Sequence, residues 1–130
     1  MIVNKEWYPD YTESIVEFST LLGKVFVAVQ LENDFIAVET VDGEIFVLGH
    51  TQDCCECVDV EDVVGDLKDL LNSPILLAEE ATSDENPKDK YDDSFTWSFY
   101  KLATIKGYVD IRFYGTSNGF YSESVDLFRI

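Results

Sequence analysis

Basic residues are scarce in this chain, and one long interval has none. Nine lysines and arginines stand against 26 aspartates and glutamates in 130 residues, a formal net charge of −17. Between Lys24 and Lys68 no base occurs, while Glu32, Asp34, Glu39, Asp42, Glu44, Asp53, Glu56, Asp59, Glu61, Asp62 and Asp66 all do. Binding nucleic acid directly requires a positive surface that displaces counterions, so this class of ligand is excluded and a basic protein is the expected partner. Soluble surfaces ordinarily intersperse the two signs because like charges repel across strands and turns; a field of one sign points to steering or mimicry.

Long apolar runs are also missing. No stretch approaches the ~20 residues that span a bilayer, and no basic, apolar, small-residue leader pattern opens the chain. A cytoplasmic protein is expected. The chain has one histidine and three cysteines, and the cysteines are odd in number and clustered. That usage fits a reducing compartment and argues against a disulfide framework. With 46% hydrophobic and 14% aromatic residues, what remains is the composition of a folded globule, read as one domain over residues 1–130.

The histidine and all three cysteines fall within eight positions: His50, Cys54, Cys55 and Cys57, interleaved with Asp53 and Glu56. Imidazole, thiolate and carboxylate are the side chains that hold Zn²⁺, and short spacing on one loop brings them together most simply. The candidate ligand set is therefore His50, Asp53, Cys54, Cys55, Glu56 and Cys57. The alternative is that the cysteines are small packing residues, since one C-x-x-C pair without a second carries little specificity. Adjacent thiols on an extended chain point to opposite faces, so all three cysteines join His50 only if the loop bends. The flanking acids raise thiol pKa values, which places a redox role or a vicinal disulfide behind both readings.

Periodicity supplies the elements. Asp10-Tyr11-Thr12-Glu13 has the form of a capping box, and Tyr11, Ile15, Phe18 and Leu22 predict a helix over Glu13 to Leu22 closed by Gly23. Alternation then predicts strands at Lys24 to Leu31, Phe35 to Val41 and Glu44 to Leu48, with Asp42-Gly43 as a tight hairpin turn. Val60, Val63, Val64, Leu67, Leu70 and Leu71 lie at helical spacing after Asp59, which predicts the main helix, ended by Asn72-Ser73-Pro74. Glu61, Asp62, Asp66 and Asp69 then occupy its outer face, the candidate partner-binding surface. Further strands are read at Ile75 to Ala78, Phe95 to Ile105, Val109 to Tyr114 and Phe120 to Val125. The expected fold is α+β, a curved antiparallel sheet of about six or seven strands with two helices, the longer packed on the sheet.

His50-Thr51-Gln52-Asp53-Cys54-Cys55-Glu56, with Val60 to Leu67, Ser73 to Leu76 and the later blocks Phe95 to Lys101 and Ala103 to Val109, resembles the H-x-Q-D-C-C-E signature of a group of small phage and prophage proteins. Cys57 lies outside that signature. The resemblance implies a host-defence inhibitor, tied to zinc-containing anti-CRISPR proteins that bind type II effector nucleases such as Cas9. The expectation that follows is a phage-type inhibitor working in the host cytoplasm, with a structural zinc and an acidic surface that occupies a groove meant for phosphates. The alternative is a metal-dependent hydrolase of a nucleotide or phosphodiester, with Asp53 or Glu56 as general base. No H-E-x-x-H or comparable spacing supports it.

Overall fold

In a computed structural model, which describes residues 1–7 and 14–130, nine strands form two antiparallel sheets. In chain order they are β1 (Ser14–Val16), β2 (Phe26–Leu31), β3 (Phe35–Thr40), β4 (Ile45–Gly49), β5 (Cys57–Val64), β6 (Leu77–Ser83), β7 (Ser94–Thr104), β8 (Gly107–Ser117) and β9 (Asp126–Arg129). One sheet runs β1-β9-β4-β3-β2 and the other β5-β8-β7-β6. The α+β expectation is thereby corrected. Helical structure among the described residues is confined to two single 3-10 turns, Phe18–Leu21 and Leu67–Leu70. No helix there is long and apolar enough to cross a membrane.

The sheets face each other across one core. Ile36, Val38, Phe46, Leu48 and Leu127 from the first meet Val58, Leu102, Val109, Ile111 and Phe113 from the second, and Phe18 closes one side against Tyr100 at 4.9 Å. On the outer face of the first sheet, Phe35, Ala37 and Val47 are covered by Ile2, Val3 and Trp7 of the amino-terminal segment. This segment is fixed by Gln30, whose side-chain oxygen accepts from the Ile2 and Val3 N–H groups at 2.7 and 3.0 Å. The hairpin read from the sequence at Asp42-Gly43 is present between β3 and β4, and the strands read on either side of Lys106-Gly107 form a second one, β7–β8, paired from Ser94↔Ser117 to Thr104↔Gly107.

The main helix is absent, and the reason lies in how its spacing arises. Cys57–Val64 is an edge strand in which Val58 and Val60 alternate inward; an extra residue, Glu61, then opens a bulge between Val60↔Phe113 and Asp62↔Arg112, and Val63 returns to the core. Inward residues at 58, 60 and 63 therefore mix a spacing of two with a spacing of three. Gly65 ends the strand, the Asp66 carboxylate caps the next turn by accepting from the Lys68 N–H at 2.9 Å, and that 3-10 turn carries Leu67 and Leu70 three apart. Bulge and turn together imitate a helical stripe. The β-branched valines at the inward positions suit an extended chain, and pairing with β8 supplies the hydrogen bonds that make it a strand.

The predicted first helix is likewise a strand followed by a turn. Ser14, Ile15 and Val16 pair with Arg129, Phe128 and Leu127, and only Phe18–Leu21 winds. Its capping box, Asp10 to Glu13, lies outside the described residues. The last strand is Asp126–Arg129 rather than Phe120 to Val125, because β9 is inserted between β1 and β4 and the stretch before it crosses from one sheet to the other.

Candidate functional site

β4 ends at Gly49 and delivers His50 to the start of a loop that returns as β5. The loop is organised around Glu56, whose side chain has no exposed surface. Its carboxylate gathers N–H groups from its own neighbours: Asp53 N–H to Oε2 at 3.0 Å, Cys54 N–H to Oε1 at 2.9 Å, and the Gln52 side-chain amide to Oε1 at 3.2 Å. The Gln52 amide also donates to the Glu56 backbone carbonyl at 2.6 Å. His50 completes the set, with Nε2 at 2.7 Å from Glu56 Oε2.

The other ring nitrogen, Nδ1, lies 2.5 Å from the carbonyl oxygen of Ser124, 74 positions away. Both ring nitrogens face acceptors. The ring is thereby held at both ends, by the Ser124 carbonyl at Nδ1 and by the Glu56 carboxylate at Nε2. Burial raises the Glu56 pKa, but the hydrogen bonds from Cys54, His50 and Asp53 together outweigh it and bring the group down from 4.5 to about 2. The clasp thus seals the β4–β5 loop and ties it to the segment before β9.

The six candidate metal ligands are not brought together as a set. His50 meets Glu56 alone; Asp53 and Cys54 contribute backbone N–H groups while their side chains are exposed. Cys54 and Cys55 are joined to each other in a vicinal disulfide, against the order of expectations from the sequence. Cys57 is an exposed free thiol on β5, paired in register with Thr116. No group of three or more histidine, cysteine, aspartate or glutamate side chains with metal-holding geometry occurs among the described residues. The zinc that the resemblance implies would need thiolates and a free imidazole nitrogen, and the donor set does not fit such a site in this arrangement.

An expected result follows: protein purified without added metal keeps its melting temperature in excess chelator, and a thiol assay on the denatured, unreduced chain finds Cys57 alone. One zinc per chain, with a melting temperature that falls on chelation, would restore His50 and the cysteines as ligands.

The four carboxylates assigned to a helix face lie on different elements. Glu61 sits in the β5 bulge, 2.6 Å from Lys88 Nζ, and Asp62 is 3.9 Å from Arg112. Asp66 caps the second 3-10 turn, and Asp69 is half-buried within it, where its backbone carbonyl accepts from the Thr104 hydroxyl. What gathers acidity instead is a groove of about 660 Å³ beside the β2–β3 turn, lined by Glu6, Glu32, Asp34, Glu61 and Asp62 together with Lys5. The Val60 N–H donates to the Asn33 carbonyl at 2.8 Å and holds the two sheet edges together there. Asp34 also borders a smaller depression of about 230 Å³ lined by Trp7, His50, Glu56, Cys57 and Asp59. The Asp59 carboxyl is pushed up by desolvation and then by the negative charge of Asp34 and Glu61, a measure of how crowded the field is.

Sequence reasoning did not assign roles to Gln52 or Ser124. Gln52 stands inside the signature, so its position was a usable signal; nothing local links Ser124 to His50. No curated protein and no solved structure matches the chain. A family model described as a domain of unknown function, DUF7448, matches residues 19–127, which include every strand except β1 and the last residues of β9. With that span, more than half of its length, the chain belongs to the DUF7448 family.

Proposed function

We propose that this protein is a non-catalytic binding module whose acidic groove takes a basic surface of a partner protein. The observation that carries the reading is the convergence of Glu6, Glu32, Asp34, Glu61 and Asp62 on one groove between two sheet edges, with Asp59 beside it. Charge complementarity of this kind speeds encounter and makes association fall with ionic strength. The partner class is a nucleic-acid-handling protein, whose phosphate-binding surface is necessarily basic. A host CRISPR effector nuclease is the specific form that the phage-type signature implies. An enzymatic role for Glu56 is disfavoured by its state: a carboxylate held near 2 and taken up by several N–H donors is a weak general base at neutral pH.

The test is binding to a purified type II effector at low and high salt, beside a variant carrying Glu32→Gln, Asp34→Asn, Asp59→Asn and Glu61→Gln. Affinity is expected to fall by about tenfold or more on raising salt from 50 to 200 mM and to be lost in the variant, as for desolvated charge pairs at interfaces. Binding indifferent to both salt and substitution would make the groove merely a solvated edge. No binding to any such effector would remove that partner.

A further inference from the structure

β7 carries its residues in an unusual order. Phe95, Trp97 and Phe99 lie on the outer face of the second sheet, with Tyr114 packed among them, while Thr96 and Ser98 occupy the inner face ahead of Tyr100 and Leu102. The outer aromatics are covered by the segment before β7: Trp97 Nε1 donates to the Asn86 carbonyl at 3.0 Å, and the Tyr114 hydroxyl donates to Asp92 at 2.7 Å. Hydroxyls placed inside a sandwich need a polar reason.

Here they line a cleft of about 510 Å³. Glu80 and Thr82 of β6, in register with Tyr100 and Ser98, form one wall, and the segment 122–125 forms the other. That second wall is held at two points, by His50 Nδ1 on the Ser124 carbonyl and by the Tyr100 hydroxyl on the Val125 carbonyl at 3.2 Å. Immediately before these anchors Glu123 turns inward and is only 8% exposed. Its two oxygens accept from the Thr96 and Ser117 hydroxyls at 2.7 and 2.5 Å, and no lysine, arginine or histidine lies within ion-pair distance of it among the described residues. The one other buried carboxylate among the described residues, Glu56, has the His50 ring at 2.7 Å. Burial without a countercharge is costly, and neutral hydroxyls satisfy the lone pairs without supplying charge.

We propose that this cleft is a binding site for a ligand bearing an ammonium or guanidinium group, with Glu123 as its buried charge partner and Glu80 as the one at the rim. The volume is that of a small-molecule site, and the hydroxyls of Thr82 and Ser98 provide further polar contacts. Burial, followed by the negative charge of Glu80 and Asp126, holds the Tyr100 hydroxyl protonated well above its usual range, so that it stays a donor to Val125 and keeps the wall in place. The site is separate from the acidic groove and does not depend on the function proposed for it.

The experiment is an NMR titration of the isotope-labelled chain with agmatine and, separately, with N-acetyl-arginine amide; 1,4-butanediol serves as the uncharged control. Saturable binding is expected, with amide shifts confined to residues 80–82, 96–98 and 122–125. Affinity should be about tenfold or more weaker in Glu123→Gln and in Glu80→Gln, since each removes a charge-assisted contact, and unchanged in Asp42→Asn, a distant turn carboxylate. Binding of agmatine alone identifies a free amine as the ligand; binding of the arginine amide as well admits an arginine side chain of a partner. Glu80 is exposed on an edge strand, so Glu80→Gln reads the site even if Glu123→Gln does not fold. Shifts scattered over the acidic surface, affinity in both variants equal to that of the native chain, or no binding of either probe would overturn the proposal.

Discussion

Replacing Glu56 by alanine is expected to destabilise the fold by about 3–5 kcal/mol, the range for removing one partner of a buried ion pair. The loss is large because the carboxylate serves several donors at once: truncation strands the Asp53 and Cys54 N–H groups and His50 Nε2, and leaves the Gln52 amide only its backbone acceptors. For a domain of this size the melting temperature should fall by roughly 10–20 °C. A His50→Ala chain should lose less, since three donors remain on Glu56, and a double-mutant cycle isolates the pair itself. Denaturant unfolding of the three variants is the measurement. A cost below about 1 kcal/mol for Glu56→Ala would mean that the loop holds without its clasp.

The same group sets an acid limb. The folded value of Glu56, about 2, lies below its ordinary 4.5, so the folded state binds the proton less readily than the unfolded chain does. Its contribution is fully present above pH 4.5 and is lost progressively as pH falls toward 2. Stability measured across that window should slope downward in the native chain more steeply than in Glu56→Ala.

Gly65→Ala is the second substitution with a large expected cost, about 3 kcal/mol or more. The residue has φ of +105°, which L side chains rarely adopt, and an added Cβ would stand 2.5 Å from the Tyr108 carbonyl oxygen, a backbone atom that cannot swing away. This is where β5 leaves the sheet beside the start of β8 and the chain enters the second 3-10 turn. Gly43→Ala is the matched comparison, with φ of +83° but open space around the new methyl. It should cost only about 1–2 kcal/mol, the conformational part alone. Equal costs at the two glycines would show that β8 yields to accommodate the methyl.

Local residues determined more of this protein than its helices suggest. The paired strands were legible because alternation has a period of two and because Asp42-Gly43 and Lys106-Gly107 supply turn chemistry between apolar runs. The importance of the His50 to Cys57 stretch was also visible, since the only histidine and every cysteine gather there. Its role was not. A ligand set and a hydrogen-bonded clasp draw on the same residue types, and the difference lies in where each lone pair and N–H is directed.

Tertiary structure decided that difference when the Ser124 carbonyl, from the far end of the chain, took one ring nitrogen of His50 and Glu56 took the other. It also decided strand against helix at Val60 to Leu71, because a bulge and one 3-10 turn reproduce helical spacing, and only pairing with β8 gives the backbone its hydrogen bonds in the extended form. The acidic groove and the cleft at Glu123 were closed to sequence reading for the same physical reason. Each is assembled across elements remote in the chain, the groove from the amino-terminal segment, the β2–β3 turn and β5, the cleft from β6, β7 and the segment before β9, and a one-dimensional pattern records charge and period but not which distant surfaces meet.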